Sequence, residues 1–140
     1  MVDKPRILIA DDEESFLLST GELLRLEGFE VHTAHDGREA AAMLNGQTFD
    51  LLITDIRMPG NQDLDLVRYA QAQNDILPVI MVTSYPSMPT AMQAMQLSVI
   101  AYLIKPMDFA AGRVPRADRR GPLPGAGQFG WDDIGHEIHL

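Results

Sequence analysis

The sequence Arg6-Ile-Leu-Ile-Ala-Asp-Asp12 is a run of apolar residues that ends in two aspartates. The apolar part has the length and composition of a strand that is buried on both faces, as the strands of parallel sheets are. Three later runs share this form, and they span residues 49–54, 78–82 and 101–104. Because the carboxyl ends of parallel strands lie along one edge of a sheet, we expect the polar residues after the four runs to form one pocket. These residues are Asp11, Asp12, Asp55, Thr83 and Lys105.

The segments between the apolar runs have the spacing of amphipathic helices. In the first of them Phe16 and Leu23 repeat at seven-residue spacing, and Gly28 follows as a helix-ending glycine should. Asp36 and Ser87 are typical caps for two later helices, and residues 30–34 read as a short strand. Strands that alternate with helices predict an α/β fold, with a parallel five-stranded sheet covered on both faces.

The end of the chain breaks this alternation. Asp108 could cap a fifth helix, but Gly112 and Pro115 limit it to about two turns. From residue 112 onward nine of twenty-nine residues are glycine or proline, too many for a segment that must bury apolar surface to become ordered. We therefore expect one domain over residues 1–111, with a short or atypical fifth helix. Residues 112–140 are predicted to be an atypical tail that is disordered, ordered only against a neighbour, or non-native in origin.

Composition excludes several classes of function. The 140 residues carry a net charge of −9, which opposes nonspecific binding to nucleic acid or to anionic lipid. The chain has no cysteine, so it has neither disulfides nor thiolate metal ligands. No apolar run approaches the length of a membrane span, and the first residues have no signal-peptide pattern. These features predict a cytoplasmic protein that binds neither nucleic acid nor membranes.

The predicted pocket has the chemistry of phosphoryl transfer. Carboxylates at Asp11, Asp12 and Asp55 would repel one another unless a cation lay between them, and oxygen ligands in small number suit Mg²⁺. With that ion present, Asp55 can act as a nucleophile toward phosphorus and form an acyl phosphate. The Lys105 ammonium and the Thr83 hydroxyl can then bind phosphoryl oxygens.

These motifs resemble the receiver domain of two-component response regulators. The resemblance covers about residues 5–109, through Asp11-Asp12, Asp55-Ile-Arg-Met-Pro-Gly60, Thr83-Ser84 and Tyr102-Leu-Ile-Lys-Pro106. It implies a flavodoxin-like (βα)5 fold, and a switch in which Asp55 accepts a phosphoryl group from a histidine kinase. It further implies that Asp12, Asp55 and the Arg57 carbonyl hold Mg²⁺, with Asp11 contacting the ion through water.

The resemblance also implies how the signal leaves the domain. Thr83 would move toward the phosphoryl group and Tyr102 would turn inward behind it. The face made by helix 4, strand 5 and helix 5 would then change its preference for partners, including a second copy of the chain. The variant Asn61-Gln-Asp-Leu64 is similar to receivers of sigma-54-dependent activators. In this interpretation the chain assists its own phosphorylation but is a signalling domain and not an enzyme.

Two other functions share parts of the pocket. A Mg²⁺-dependent phosphatase with an aspartyl-phosphate intermediate would use the same nucleophile, but haloacid-dehalogenase-like enzymes place a second acid where this chain has Arg57. A receiver-like binding module would use the fold without phosphorylation. Dinucleotide binding is disfavoured, because Asp11-Asp-Glu-Glu14 would repel a pyrophosphate at the first helix.

Overall fold

A computed structural model describes residues 4–58, 64–97, 99–105, 114–117 and 128–129. Its five parallel strands are β1 (Arg6–Ala10), β2 (Glu30–Ala34), β3 (Leu51–Asp55), β4 (Val79–Thr83) and β5 (Ala101–Ile104). The helices between them are α1 (Glu14–Leu26), α2 (Gly37–Gly46), α3 (Asp65–Gln73) and α4 (Met88–Gln96). The sheet order begins β2-β1-β3-β4-β5, so the predicted doubly wound parallel sheet is confirmed.

Alternate residues of the strands build two apolar cores, one on each face of the sheet. Ile7 and Ile9 of β1 pack with Leu17 and Leu24 of α1 on one face. Leu8 and its neighbours on the other strands pack with α2, α3 and α4 on the other face. Since both faces are covered, the central strands are buried at every position, as in β3 and β4. The polar groups that follow the strands therefore meet only at the carboxyl edge.

The helix ends follow the predicted caps. The Asp36 carboxylate accepts the Glu39 backbone N–H at 2.7 Å, and the Ser87 hydroxyl accepts the Thr90 backbone N–H at 3.3 Å. Gly28 has φ +100°, a conformation that favours glycine, just beyond the end of α1. Helix α3 begins at Asp65, after Leu64 in the left-handed conformation with φ 65°.

Two short strands that the sequence analysis did not predict extend the sheet beyond β5. They are β6 (Val114–Ala117), antiparallel to β5, and β7 (Gln128–Phe129), antiparallel to β6. Their residues belong to the segment predicted to be an atypical tail. Pairing with the edge of β5 offsets the low local propensity of this segment for strands. The predicted short fifth helix near Asp108 and the rest of the tail lie outside the described residues. Within the described part of the chain, no helix is long and apolar enough to cross a membrane.

Candidate functional site

The predicted pocket residues meet at the carboxyl edge of the sheet. Asp11 directly follows β1, Asp55 ends β3, Thr83 ends β4 and Lys105 directly follows β5. Backbone hydrogen bonds continue past the strand ends and hold these positions: the Asp11 N–H donates to the Ala34 carbonyl at 3.0 Å, and the Lys105 N–H donates to the Thr83 carbonyl at 2.8 Å. The sheet therefore fixes the backbones from which the polar side chains project.

Three carboxylates form the acidic centre of the pocket. Asp11, Asp12 and Asp55 each offer an oxygen atom, and these atoms lie within 4.8 Å of one another. Asp11 and Asp55 are buried, whereas Asp12 is exposed to solvent. All the donors are hard oxygen atoms and one side of the cluster is open to water, which fits Mg²⁺ because this ion keeps several waters and takes few protein ligands. The three aspartates predicted to hold the metal are therefore placed where they can do so.

The Lys105 ammonium lies among these carboxylates. Its Nζ atom is 2.6 Å from Asp11 Oδ2, 3.2 Å from Asp55 Oδ2 and 3.6 Å from Glu13 Oε1. Burial lowers the pKa of Lys105, but the hydrogen bond to Asp11 and the Asp55 charge more than offset this, so the net effect raises it. The ammonium is thus charged at neutral pH and partly neutralises the acidic cluster.

Burial raises the pKa of Asp11 to about 6. The hydrogen bond from Lys105 and the one from the Glu13 backbone N–H, which is 2.9 Å from Asp11 Oδ1, lower this pKa, and the neighbouring Asp55 charge raises it. Desolvation outweighs the lysine because Asp11 is wholly buried, so its charged form has lost nearly all contact with water. The pocket therefore contains a carboxyl group that loses its proton at a higher pH than an ordinary aspartate does.

The Asp55 side chain is oriented by its own turn. Its Oδ1 atom accepts the Arg57 backbone N–H at 3.0 Å, while its Oδ2 atom contacts Lys105. Two different groups thus hold the two oxygens of the predicted acceptor. The Arg57 side chain lies over the Tyr85 ring, with 5.6 Å between the guanidinium carbon and the ring centroid. The role of the Arg57 carbonyl as a metal ligand stays a prediction.

Thr83 and Tyr102 both bond to the segment that leads into α4. The Thr83 hydroxyl oxygen accepts the Tyr85 backbone N–H at 3.0 Å, and the Tyr102 hydroxyl oxygen accepts the Ser87 backbone N–H at 3.3 Å. Tyr102 is buried, with 4% of its surface exposed. The two predicted switch residues therefore already contact the same short stretch of chain from neighbouring strands.

Three contacts at this edge were not predicted. They are the approach of Glu13 to Lys105, the packing of Lys105 over the Phe16 ring at 4.4 Å, and the bond from Ser87 to Tyr102. The seven-residue spacing from Leu23 indicates only that Phe16 lies on the buried face of α1. Its place one helical turn after Asp12 was the signal that could have linked it to the pocket.

The comparisons with known proteins agree with this geometry. Residues 7–113 match the family described as "Response regulator receiver domain". A receiver domain protein (CheY-like) from Methanospirillum hungatei JF-1 has a similar structure, with a TM-score of 0.73 and 32% sequence identity over 76% of this chain and 85% of that one. A receiver domain protein from Clostridium thermocellum has a TM-score of 0.69 and 26% identity, and covers 96% of this chain and 91% of that one. The flavodoxin-like fold is thereby confirmed.

Longer proteins also match in sequence. "Transcriptional regulatory protein ZraR" of Escherichia coli (strain K12) is 34% identical over an alignment of 137 residues that covers 91% of this chain and 31% of that protein. "Alginate biosynthesis transcriptional regulatory protein AlgB" of Pseudomonas aeruginosa is 37% identical over 101 residues, covering 72% of this chain and 22% of that protein. The chain spans less than a third of the length of these curated relatives. Their names agree with the activator-type origin that Asn61-Gln-Asp-Leu64 predicted.

Proposed function

Because the chain belongs to the response regulator receiver domain family, we propose that it is a phosphoryl-accepting switch with Asp55 as the acceptor. The observation that carries this proposal is the Lys105 ammonium, held within 3.2 Å of both Asp11 and Asp55 in a cluster of three carboxylates. The Lys105 ammonium, together with a Mg²⁺ ion held by the acidic cluster, would supply the positive charge that a phosphoryl group needs beside an aspartate. The phosphodonor in this proposal is a histidine kinase.

The chemical step is an attack by Asp55 on phosphorus. A carboxylate oxygen forms the new bond to phosphorus, and the bond from phosphorus to the imidazole nitrogen of the kinase breaks with its electron pair on that nitrogen. Asp11, Asp12, Asp55 and the Arg57 carbonyl would hold Mg²⁺, which offsets charge on the phosphoryl oxygens when bound. The Arg57 N–H fixes one Asp55 oxygen, so the carboxylate enters the reaction already oriented.

Lys105 and Thr83 would bind the phosphoryl group once it is attached. Lys105 exchanges its contacts with the carboxylates for a phosphoryl oxygen, and Thr83 donates its hydroxyl proton to another. Thr83 now accepts the Tyr85 N–H, and Tyr102 accepts the Ser87 N–H. If Thr83 moved toward the phosphoryl group, it would also displace the segment to which Tyr102 is bonded. The carboxyl ends of β4 and β5 would then have two alternative arrangements.

The surface that would report this change includes α4. Its Met88, Met92 and Met95 are 61%, 56% and 38% exposed, and methionine suits surfaces that adapt to partners. In our proposal this surface, with β5 and the predicted fifth helix, forms the contact with a second copy of the chain. The chain itself would act as a cytoplasmic signalling domain and not as an enzyme with its own substrate. It would bind neither nucleic acid nor membranes, so any action on transcription would need the remaining parts of a longer regulator.

Incubation with Mg²⁺ and acetyl phosphate tests the function directly. We expect intact-mass measurement to show a gain of one phosphoryl group, which depends on Mg²⁺ and decays after the donor is removed. Repeated turnover of unrelated phosphomonoesters would instead indicate the phosphatase, whose second acid is replaced here by Arg57. If the protein gained no phosphoryl group at any Mg²⁺ concentration tested, a binding module that works without phosphorylation would be the remaining interpretation.

The Arg57–Tyr85 pair is expected to lengthen the life of the acyl phosphate. Both residues lie two positions beyond a pocket residue, and their stacked side chains would obstruct water approaching phosphorus. We expect replacement of both, in Arg57→Ala with Tyr85→Ala, to accelerate dephosphorylation more than about twofold, roughly 0.4 kcal/mol in barrier. Loss of phosphate from purified phosphoprotein measures the rate. Arg68→Ala on α3 is the control, and a change below twofold in the double variant argues against the role.

A further inference from the structure

We infer that Phe16 is a positioning residue for Lys105, holding the ammonium in the pocket through the face of its ring. The inference rests on the proposed function, because it concerns how Lys105 is kept ready for the phosphoryl group. The Nζ atom lies 4.4 Å from the centroid of the Phe16 ring, within the range of a cation–π contact. Phe16 lies near the start of α1 and is partly buried against the core on that face of the sheet.

The ring is a contact of Lys105 for which a hard metal ion does not compete. Asp11 and Asp55 belong to the carboxylate cluster that suits Mg²⁺, and Glu13 lies farther away at 3.6 Å on a side chain that is 54% exposed. Hard cations bind oxygen and not an aromatic face, so a metal that draws the carboxylates toward itself leaves the ring contact unchanged. Phe16 can therefore hold the Lys105 ammonium in place when Asp11 and Asp55 also bind a metal ion.

Retention matters because the lysine stem is flexible. A four-carbon side chain has many accessible rotamers, and an ammonium that must be recaptured at each reaction contributes less to catalysis than one held in place. The Lys105 side chain is only 8% exposed, so it is confined between α1 and the sheet edge. A leucine at position 16 would fill the same apolar space on α1 but would offer no ring quadrupole to the cation.

Phe16→Leu therefore separates packing from the cation contact. We expect this variant to accept the phosphoryl group from acetyl phosphate about two- to fivefold more slowly, the range of an exposed to partly buried cation–π contact. Phe16→Tyr keeps the ring and should restore the rate. Leu23→Ala is the matched control, because Leu23 is partly buried against the same core one heptad along α1 and should leave the rate unchanged.

A double-substitution cycle tests whether Phe16 acts through the lysine. In a Lys105→Met background, Phe16→Leu should cause no additional loss of rate. An equal loss in both backgrounds, an unchanged rate in Phe16→Leu alone, or failure of Phe16→Tyr to restore the rate would each overturn the inference. Circular dichroism and thermal unfolding of every variant confirm that the fold is kept.

The contact also has a readout that needs no phosphorylation. Protons next to the Lys105 ammonium lie over the ring, so their NMR signals should be displaced upfield in the wild type and in Phe16→Tyr but not in Phe16→Leu. If the wild type accepts no phosphoryl group, the proposed function fails while this measurement still decides whether Phe16 holds Lys105. If phosphorylation occurs but the displacement is absent, the inference fails and the proposed function stands.

Discussion

Asp55→Asn is expected to gain no phosphoryl group from acetyl phosphate, at any Mg²⁺ concentration at which the wild type is phosphorylated. An amide is uncharged and far less nucleophilic than a carboxylate, and it also removes one of the three charges that attract the metal. The fold should be kept, because an asparagine oxygen can still accept the Arg57 N–H now bonded to Asp55 at 3.0 Å. Intact-mass spectra of the two proteins, treated side by side, measure the effect.

Asp50→Asn is the matched control for this substitution. Asp50 precedes β3 at the opposite end of the strand, where its carboxylate accepts the Arg6 N–H at 2.8 Å. This variant should be phosphorylated like the wild type, since Asp50 is remote from the acidic cluster. A full phosphoryl gain in Asp55→Asn would place the acceptor elsewhere in the chain, and the role assigned to Asp55 would then be wrong.

Much of the sheet could be predicted because its strands are nearly continuous apolar runs. The limits of β1, β2 and β5 agree with the predicted ones, and β3 and β4 are displaced by one or two residues toward the polar residue that ends each. The same pattern predicted the position of the pocket, because the residues that follow parallel strands all lie at the carboxyl edge of the sheet. Asp11 and Lys105, which are 94 positions apart, could thus be placed in one pocket before any distance was known.

Features that depend on contacts between elements could not be predicted in this way. The strand β6 is paired with the open edge of β5, although Pro115 and the glycine content around it disfavour a strand locally. The approach of Phe16 to Lys105 depends on the direction in which a side chain leaves α1, and spacing alone places Phe16 only in the core. The conformation of Leu64, with φ 65°, likewise has no signal in residue type, because leucine rarely adopts it.

The lysine explains why the acidic pocket is tolerable before phosphorylation. Asp11 and Asp55 are both buried. Without Lys105 they would be two neighbouring carboxylates with little water to solvate them and no cation between them. In our proposal the ammonium therefore has two tasks, which are to neutralise the resting pocket and to bind the phosphoryl group afterwards. Phosphorylation should be easier because the cation that neutralises the resting pocket is already in place to bind the phosphoryl group.

Asp11 is expected to give the metal-free protein a pH dependence opposite to that of an ordinary paired carboxylate. Its pKa is raised from 3.8 to about 6 in the folded protein, so between these values the folded state binds more protons than the unfolded state. The stability that protonated Asp11 contributes is present in full below pH 3.8 and is lost as the pH rises through about 6. The loss is on the order of 2–3 kcal/mol, from about 1.4 kcal/mol per pKa unit.

The Asp11→Asn variant isolates this effect, because asparagine does not titrate while every other group is kept. We expect its free energy of unfolding, measured in denaturant relative to the wild type, to rise by that amount between about pH 4 and pH 7 in the absence of Mg²⁺. At pH 7.5 saturating Mg²⁺ should stabilise the wild type, by about 2.7 kcal/mol at a hundredfold excess over its Kd, and should stabilise Asp11→Asn less. If the difference in stability between the two proteins were independent of pH, the pKa of Asp11 would not be raised in the folded state. Such a result, together with equal Mg²⁺ effects in the two proteins, would also remove Asp11 from the metal site.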